Sequence, residues 1–167
     1  MNLIVNVTPD WGIGFENKLL VSISADLKRF RSLTMDKTVI LGRKTLETFP
    51  GGRPLKGRRN LILSANPDYR VEGAEVVHSL QELLAALKPL DKEQIAVIGG
   101  ASIYEMLLPY CRTAQVTKTY VNQKADRFHP NLDQMENWEI KRIYSIEEEN
   151  GVRYQYIDYV NKAPVEF

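Results

Sequence analysis

Short apolar runs alternate with helical spacings through the first two thirds of the chain. Asn2–Val7 reads as a strand, residues 25–34 as a helix, 38–41 as a buried strand and 43–48 as a short helix. The rhythm then repeats with strands over 60–63 and 75–77, a helix opened by a Ser79/Glu82 capping box and running to Leu87, and a buried strand over 95–98. Alternation at this spacing predicts an α/β fold, a mostly parallel central sheet with helices on both faces and right-handed crossovers. The last third changes character: residues 116–121, 138–144 and 152–160 are strand-like, and Glu149-Asn150-Gly151 is a turn before the last of them. A C-terminal antiparallel hairpin should therefore close the sheet. Neither a repeat nor a linker divides the chain, so residues 1–167 are expected to form a single domain.

Composition narrows the function classes. Of 167 residues, 44% are hydrophobic and 26% charged, which suits a globular chain rather than a disordered or membrane-embedded one. A formal net charge of +1 gives no field for nucleic acid, so no nucleic-acid partner is expected and each arginine must be read locally. Cys111 is the sole cysteine, which excludes an internal disulfide and fits a reducing compartment. Its place after Pro109, away in sequence from His78 and His129, favours an inert thiol over a nucleophile, and no zinc pattern is present. No charged leader or long apolar run precedes the first strand, so a cytoplasmic, membrane-free protein is expected, and a monomer.

Four glycine sites invite comparison with phosphate cradles. Gly12-Ile13-Gly14 lacks the third glycine of the dinucleotide fingerprint, where Asn17 stands. Gly52 and Gly57 have P-loop spacing, but Arg58-Arg59 replaces the lysine and hydroxyl residue that would hold terminal phosphates and metal. Two other sites survive: Gly42-Arg43-Lys44-Thr45 and Gly99-Gly100-Ala101-Ser102 each follow a buried strand and open a helix at once. Free N–H groups at such starts attract anionic oxygens, and strand carboxyl ends are where open α/β sheets bind ligands. A single diphosphate could bridge them, with Arg43 and Ser64 suited to a further phosphate; solvated surface charge and simple turn geometry are the bland alternatives.

Asp26 borders the apolar side of the helix marked by Leu27 and Phe30, where Ser24 is a ready cap. Taken alone, an aspartate in a first turn is explained by the helix dipole. Facing inward, it would need a ligand with paired donors, such as an aminopyrimidine edge.

Five blocks in unbroken order carry a resemblance across Asn2 to Val160: 11–19 (WGIGFENKL), 26–30 (DLKRF), 39–45 (VILGRKT), 53–60 (RPLKGRRN) and 97–104 (VIGGASIY). On these the chain resembles dihydrofolate reductases of the bacterial chromosomal type. The resemblance implies reduction of 7,8-dihydrofolate to tetrahydrofolate, with hydride from NADPH reaching pterin C6 and a proton reaching N5. Asp26 then matches the pterin-binding carboxylate, Thr117 its supporting hydroxyl and Leu19 a catalytic position of the mobile loop. Ile4, Val5, Leu27, Phe30, Phe49, Leu55, Ile98 and Tyr104 match pocket walls, and Arg58 the arginine for the glutamate tail. Cofactor contacts are implied at Asn6, Ile13, Gly14, Asn17, Leu19, Gly42, Arg43, Lys44, Thr45, Leu63, Ser64, Ala65, Ile98, Gly99, Gly100, Ala101, Ser102, Ile103 and Tyr104. Arg43 and Ser64 match contacts to the 2′-phosphate, and the family's Gly-Gly bond is cis. Diaminopyrimidine and pteridine antifolates, trimethoprim among them, are implied inhibitors.

Three departures from the family stand out. Leu20 and Val21 replace a proline and a tryptophan whose indole helps order water near the pterin, Asn6 stands where alanine is common, and Leu46 replaces a tryptophan in the short helix. Asn6 should bring an amide near nicotinamide and pterin, to pair with the carboxamide or a water; Leu46 reads as core variation. Two rivals remain at this point: a pyrimidine reductase of riboflavin synthesis, which shares fold and cofactor without a carboxylate at 26, and a non-catalytic folate- or nucleotide-binding module.

Overall fold

The computed structural model describes residues 1–20 and 22–167. Val21 lies outside the described residues, as does the side chain of Leu19. In chain order the elements are β1 (Asn2–Val7), β2 (Gly12–Phe15), β3 (Lys18–Leu19), α1 (Ser24–Thr34), β4 (Thr38–Gly42), α2 (Arg43–Glu47), β5 (Arg59–Leu63) and β6 (Glu75–Val77). There follow α3 (Leu80–Leu87), β7 (Ile95–Gly99), α4 (Ala101–Leu107), β8 (Thr113–Thr119), β9 (Arg127–Phe128), β10 (Trp138–Ile143), β11 (Glu147–Glu149) and β12 (Val152–Asn161).

The main sheet runs β10-β12-β8-β1-β7-β4-β5-β6, with β11 paired to β12. Pairing is parallel from β8 through β1, β7, β4 and β5 to β6, and antiparallel where β12 joins β8 and β10. The expected architecture is thus observed, with the antiparallel closure at the C-terminal side.

Two-residue periodicity divides the core between the sheet's faces. Leu3, Val5 and Val7 of β1, Ile40 of β4 and Ile95 and Val97 of β7 share one cluster with Leu83 and Leu87 of α3 and Ile103 and Leu107 of α4. Their neighbours Ile4, Val39, Leu41, Ala96 and Ile98 form the other with Leu46 of α2, against which Phe30 and Leu33 of α1 pack. Helices therefore cover both faces, and Leu46 is core as expected.

Local departures have local causes. The strand expected over 116–121 is β8, which begins three residues earlier and stops at Thr119, because Ala114, Val116, Thr117 and Thr119 are all buried between β1 and β12. Ser24 does not cap α1: Ile23 holds that position without a side-chain hydrogen bond, and the Ser24 and Ala25 amides donate to the Glu149 carboxylate at 2.7 and 3.2 Å. Ser79 caps α3 by accepting from Glu82 N, but Glu82 reaches back to His78 N rather than to Ser79. A small sheet, β3-β2-β9, forms where no strand was expected, β2 and β3 in the loop between β1 and α1 and β9 between β8 and β10. Its β2–β3 turn places Glu16 and Asn17 at φ 50° and 63°, the two left-handed residues of a type I′ hairpin. Among the described residues, no helix is long and apolar enough to cross a membrane.

Candidate active site

The parallel pairing of β4 with β7 sets their carboxyl ends side by side, Leu41 opposite Gly99. Both glycine-led helix starts therefore open on one place, the edge of a cleft of about 810 Å³ bounded also by β1, α1 and β2. The Gly99–Gly100 peptide bond is cis. A Cβ on Gly100 would lie 3.0 Å from Thr45 Oγ1, so a side chain there would separate the two helix starts.

Asp26 lies in the first turn of α1, and its carboxylate reaches across to the sheet. Thr117 Oγ1 donates to Oδ1 at 2.6 Å, and Asn6 Nδ2 donates to Oδ2 at 3.0 Å. Thr119 Oγ1 in turn donates to Asn6 Oδ1 at 2.7 Å. Register explains the assembly: Asn6 pairs with Thr117 between parallel β1 and β8, and Thr119, two residues on, faces the same side. These contacts are tertiary, so dipole compensation alone does not account for Asp26. Buried Tyr104 donates its hydroxyl to Ile4 O at 2.7 Å; burial, then the charge of Asp26, push its phenol above the ordinary range, so it stays protonated.

Nearly all the expected site residues meet at this cleft. Ile4, Val5, Asn6, Leu27, Phe30, Phe49, Ile98, Tyr104 and Thr117 line it beside Asp26. Ile13, Gly14 and Asn17 line it from the small sheet, Gly42 from the end of β4 with Arg43, Lys44 and Thr45 of α2, Leu63, Ser64 and Ala65 from the end of β5, and Gly99 from the end of β7 with Gly100 and Ala101, Ser102 and Ile103 of α4. Leu55 and Arg58 stand outside the cleft wall. Leu55 packs with the α1-side core, while Arg58 donates to Lys56 O at 2.9 Å and Thr34 Oγ1 at 3.2 Å. Partial burial and the neighbouring Arg31 charge lower the Arg58 pKa, a pair of like charges suited to an anion. Arg43 donates to Glu47 at 2.8 Å. For Leu19 only the strand backbone is described.

Sequence reading missed the Asn6–Asp26 bond, Thr119, and the wall contributions of Arg29, Leu33 and Arg127. The Thr-x-Thr alternation of β8 was a usable signal for Thr119 once Thr117 was placed. Cys111 is buried and its thiol bonds Leu107 O at 3.3 Å; burial pushes its pKa up to about 12, so a thiolate nucleophile is not formed.

Comparisons with known proteins agree with this geometry. The family model described as dihydrofolate reductase matches residues 1–161. A dihydrofolate reductase of Neisseria gonorrhoeae is 35% identical over 150 residues, covering 90% of this chain and 91% of its own. That of Bacillus subtilis is 34% identical over 152 residues, with 90% and 88% covered. The solved dihydrofolate reductase from Enterococcus faecalis, complexed with NADP(H) and RAB-propyl, superposes with a TM-score of 0.84 at 32% identity, covering 96% of this chain and 95% of that one. A match of this extent, on a chain whose cleft joins a supported carboxylate to paired glycine-led strand ends, leaves one conclusion: the chain belongs to the dihydrofolate reductase family.

Proposed function

We propose that the cleft reduces 7,8-dihydrofolate to 5,6,7,8-tetrahydrofolate, with Asp26 as the group that binds the pterin. The observation that carries this assignment is the Asp26 carboxylate, supported on each oxygen and set against apolar walls at the mouth of the paired helix starts. Each carboxylate oxygen has two acceptor directions, and one donor on each leaves two for a ligand. The pterin's N3–H and 2-amino group supply that pair. The same negative charge favours a proton at N5, while Ile4, Leu27, Phe30, Phe49 and Ile98 wall the ring and exclude water.

NADPH supplies the hydride that reaches C6. Helix starts at Gly42 and Gly99–Gly100 are suited to its diphosphate, and the close approach of Gly100 to Thr45 fits such a cradle. Arg43 and Ser64 hold the 2′-phosphate in this reading. Arg58, with Arg31 beside it, takes the glutamate carboxylates of the substrate, just outside the cleft. The Asp26 site and the shape of the walls also fit diaminopyrimidine and pteridine antifolates. Both halves of the cleft come from one chain, which supports a monomer and a single reductase domain over 1–167. A cytoplasmic location belongs to the same reading, supported by the inert lone thiol.

A steady-state assay with dihydrofolate and NADPH across pH tests the assignment. Loss of nicotinamide absorbance in step with dihydrofolate is expected. Oxidation with the pyrimidine precursor of riboflavin and none with dihydrofolate would overturn it, as would stoichiometric binding of both ligands without absorbance loss.

A further inference from the structure

We propose that Asn6 is a positioning residue which, opposite Thr117, clamps the Asp26 carboxylate in the plane that accepts a ligand with paired donors. The inference rests on the dihydrofolate reductase reading and assigns Asn6 a different partner from the nicotinamide carboxamide or water expected from sequence.

Geometry argues for the clamp in three ways. First, the two donors address different oxygens, Thr117 Oδ1 at 2.6 Å and Asn6 Oδ2 at 3.0 Å, so rotation of the carboxylate breaks one bond or the other. Second, the amide cannot turn freely. Thr119 donates to Asn6 Oδ1, and a flipped amide would lose its bond to Asp26 and set its oxygen against that carboxylate. Third, Asn6 lies on β1, in the middle of the sheet between β7 and β8. The clamp is therefore built on a strand.

Sequence gives the same picture from another side. Alanine, common in the family at position 6, has no donor, and Val21 has no indole N–H where the family has tryptophan. Among the described residues, Asn6 and Thr117 are the side chains that donate to Asp26.

Other charged and titratable groups around Asp26 do not duplicate this effect. Tyr104 from α4 and Tyr154 and Tyr156 from β12 feel its charge, and their phenols are all raised, chiefly by burial, so they remain neutral. Arg29, one turn along α1, lies with its guanidinium carbon 3.8 Å from the Tyr156 ring centroid and 3.7 Å by its nitrogen from Asp158. Glu149 is engaged by the amides at the start of α1, and Glu147 stands with it on β11 beside Tyr154.

Binding of trimethoprim and of NADPH, each titrated alone against the full-length protein at neutral pH, tests the proposal. Asn6→Ala should weaken trimethoprim about tenfold, the effect of one hydrogen bond to a charged group. NADPH affinity should stay within about twofold. Asn6→Asp, which keeps the shape but replaces the donor with a second negative acceptor, should weaken trimethoprim further. Thr119→Val leaves the amide present but unanchored and should give a smaller loss confined to trimethoprim; it carries the test if the Asn6 variants fail to fold. Wild-type trimethoprim affinity in Thr119→Val or Asn6→Ala would overturn the clamp. So would equal losses for trimethoprim and NADPH, which mark Asn6 as a cleft wall only. A wild-type protein that reduces dihydrofolate while its variants keep wild-type trimethoprim affinity refutes the clamp alone; one that does not reduce it refutes the functional reading as well.

Discussion

Replacing the carboxylate at position 26 by an amide separates shape from charge. Asp26→Asn keeps the Thr117 contact within reach and should fold normally, yet turnover of dihydrofolate near neutral pH should fall by about two to four orders of magnitude, the range for loss of a proton-transfer or charge-supporting group. Rates within twofold of wild type would remove Asp26 from the chemistry. Arg43 offers a second separation. Its exposed bond to Glu47 is an i,i+4 surface pair of little energetic worth, so the guanidinium is released to a phosphate at small cost. Arg43→Ala should then weaken NADPH by roughly ten- to hundredfold and NADH far less; equal losses would argue against a 2′-phosphate contact. Asp26, Arg43 and the glycines were legible because each stands in a contiguous block whose chemistry is local. The second partner of Asp26, beside Thr117, was not. Asn6 and Thr119 are 113 residues apart and meet only when β1 and β8 pair in register, and a single amide has no spacing that could announce this.

Among the elements, α1 shows how a functional side chain depends on a distant turn. The chain has an apolar residue, Ile23, at the N-cap, and the free amides of Ser24 and Ala25 are satisfied by Glu149 from β11. A negative group at a helix start gains from both hydrogen bonds and dipole. Glu149→Ala should therefore cost about 1 kcal/mol in urea unfolding and raise KM for dihydrofolate with little change for NADPH, because Asp26 is in the turn that loses its cap. Glu149→Gln, which retains an acceptor, should fall between. Equal stability of all three proteins would dissociate Glu149 from the helix. Asn150 and Gly151, at φ 52° and 79°, make the tight turn that returns β12 beside β11. Asn-Gly is the strongest sequence signal for such a turn, and it was read as one. Glu16-Asn17 adopts the same left-handed pair without glycine, so the β2–β3 hairpin and the small sheet around it went unread. Elements fixed by apolar period were legible, α1 among them; the strained Glu16-Asn17 turn and the cap that α1 borrows from Glu149 were not.

At the scale of the molecule, the small sheet must be tied to the main core if the cleft is to keep its shape. His129, just after β9, makes that tie. Its backbone amide donates to Trp11 O at 2.8 Å, its ring stacks on Trp11 at 5.7 Å between centroids, and it meets the edge of Tyr104 at 5.1 Å. Nδ1 lies 2.8 Å from Pro130 O, whereas Nε2 is buried without a partner among the described residues. With Nδ1 as the donor the ring is neutral, and a second proton on Nε2 would place an unpaired charge in the core. Burial accordingly lowers its pKa from 6.5 to about 4. The sign follows from which state binds the proton: between pH 6.5 and about 4 the unfolded chain takes it up and the native chain does not, so stability is full above 6.5 and declines as pH falls through this window. The full decline is worth roughly 3 kcal/mol. Below about pH 4 the native ring also protonates and this contribution stops growing. Urea unfolding of wild type and His129→Gln at intervals from pH 7 to 5 isolates it, because the carboxylates are common to both proteins and cancel in the comparison. The His129→Gln substitution is expected to lower stability at pH 7 and to flatten its decline toward pH 5, so that the two curves converge on acidification. Parallel curves would mean that the ring takes up its proton as readily folded as unfolded, and that the tie between the small sheet and the core is indifferent to pH.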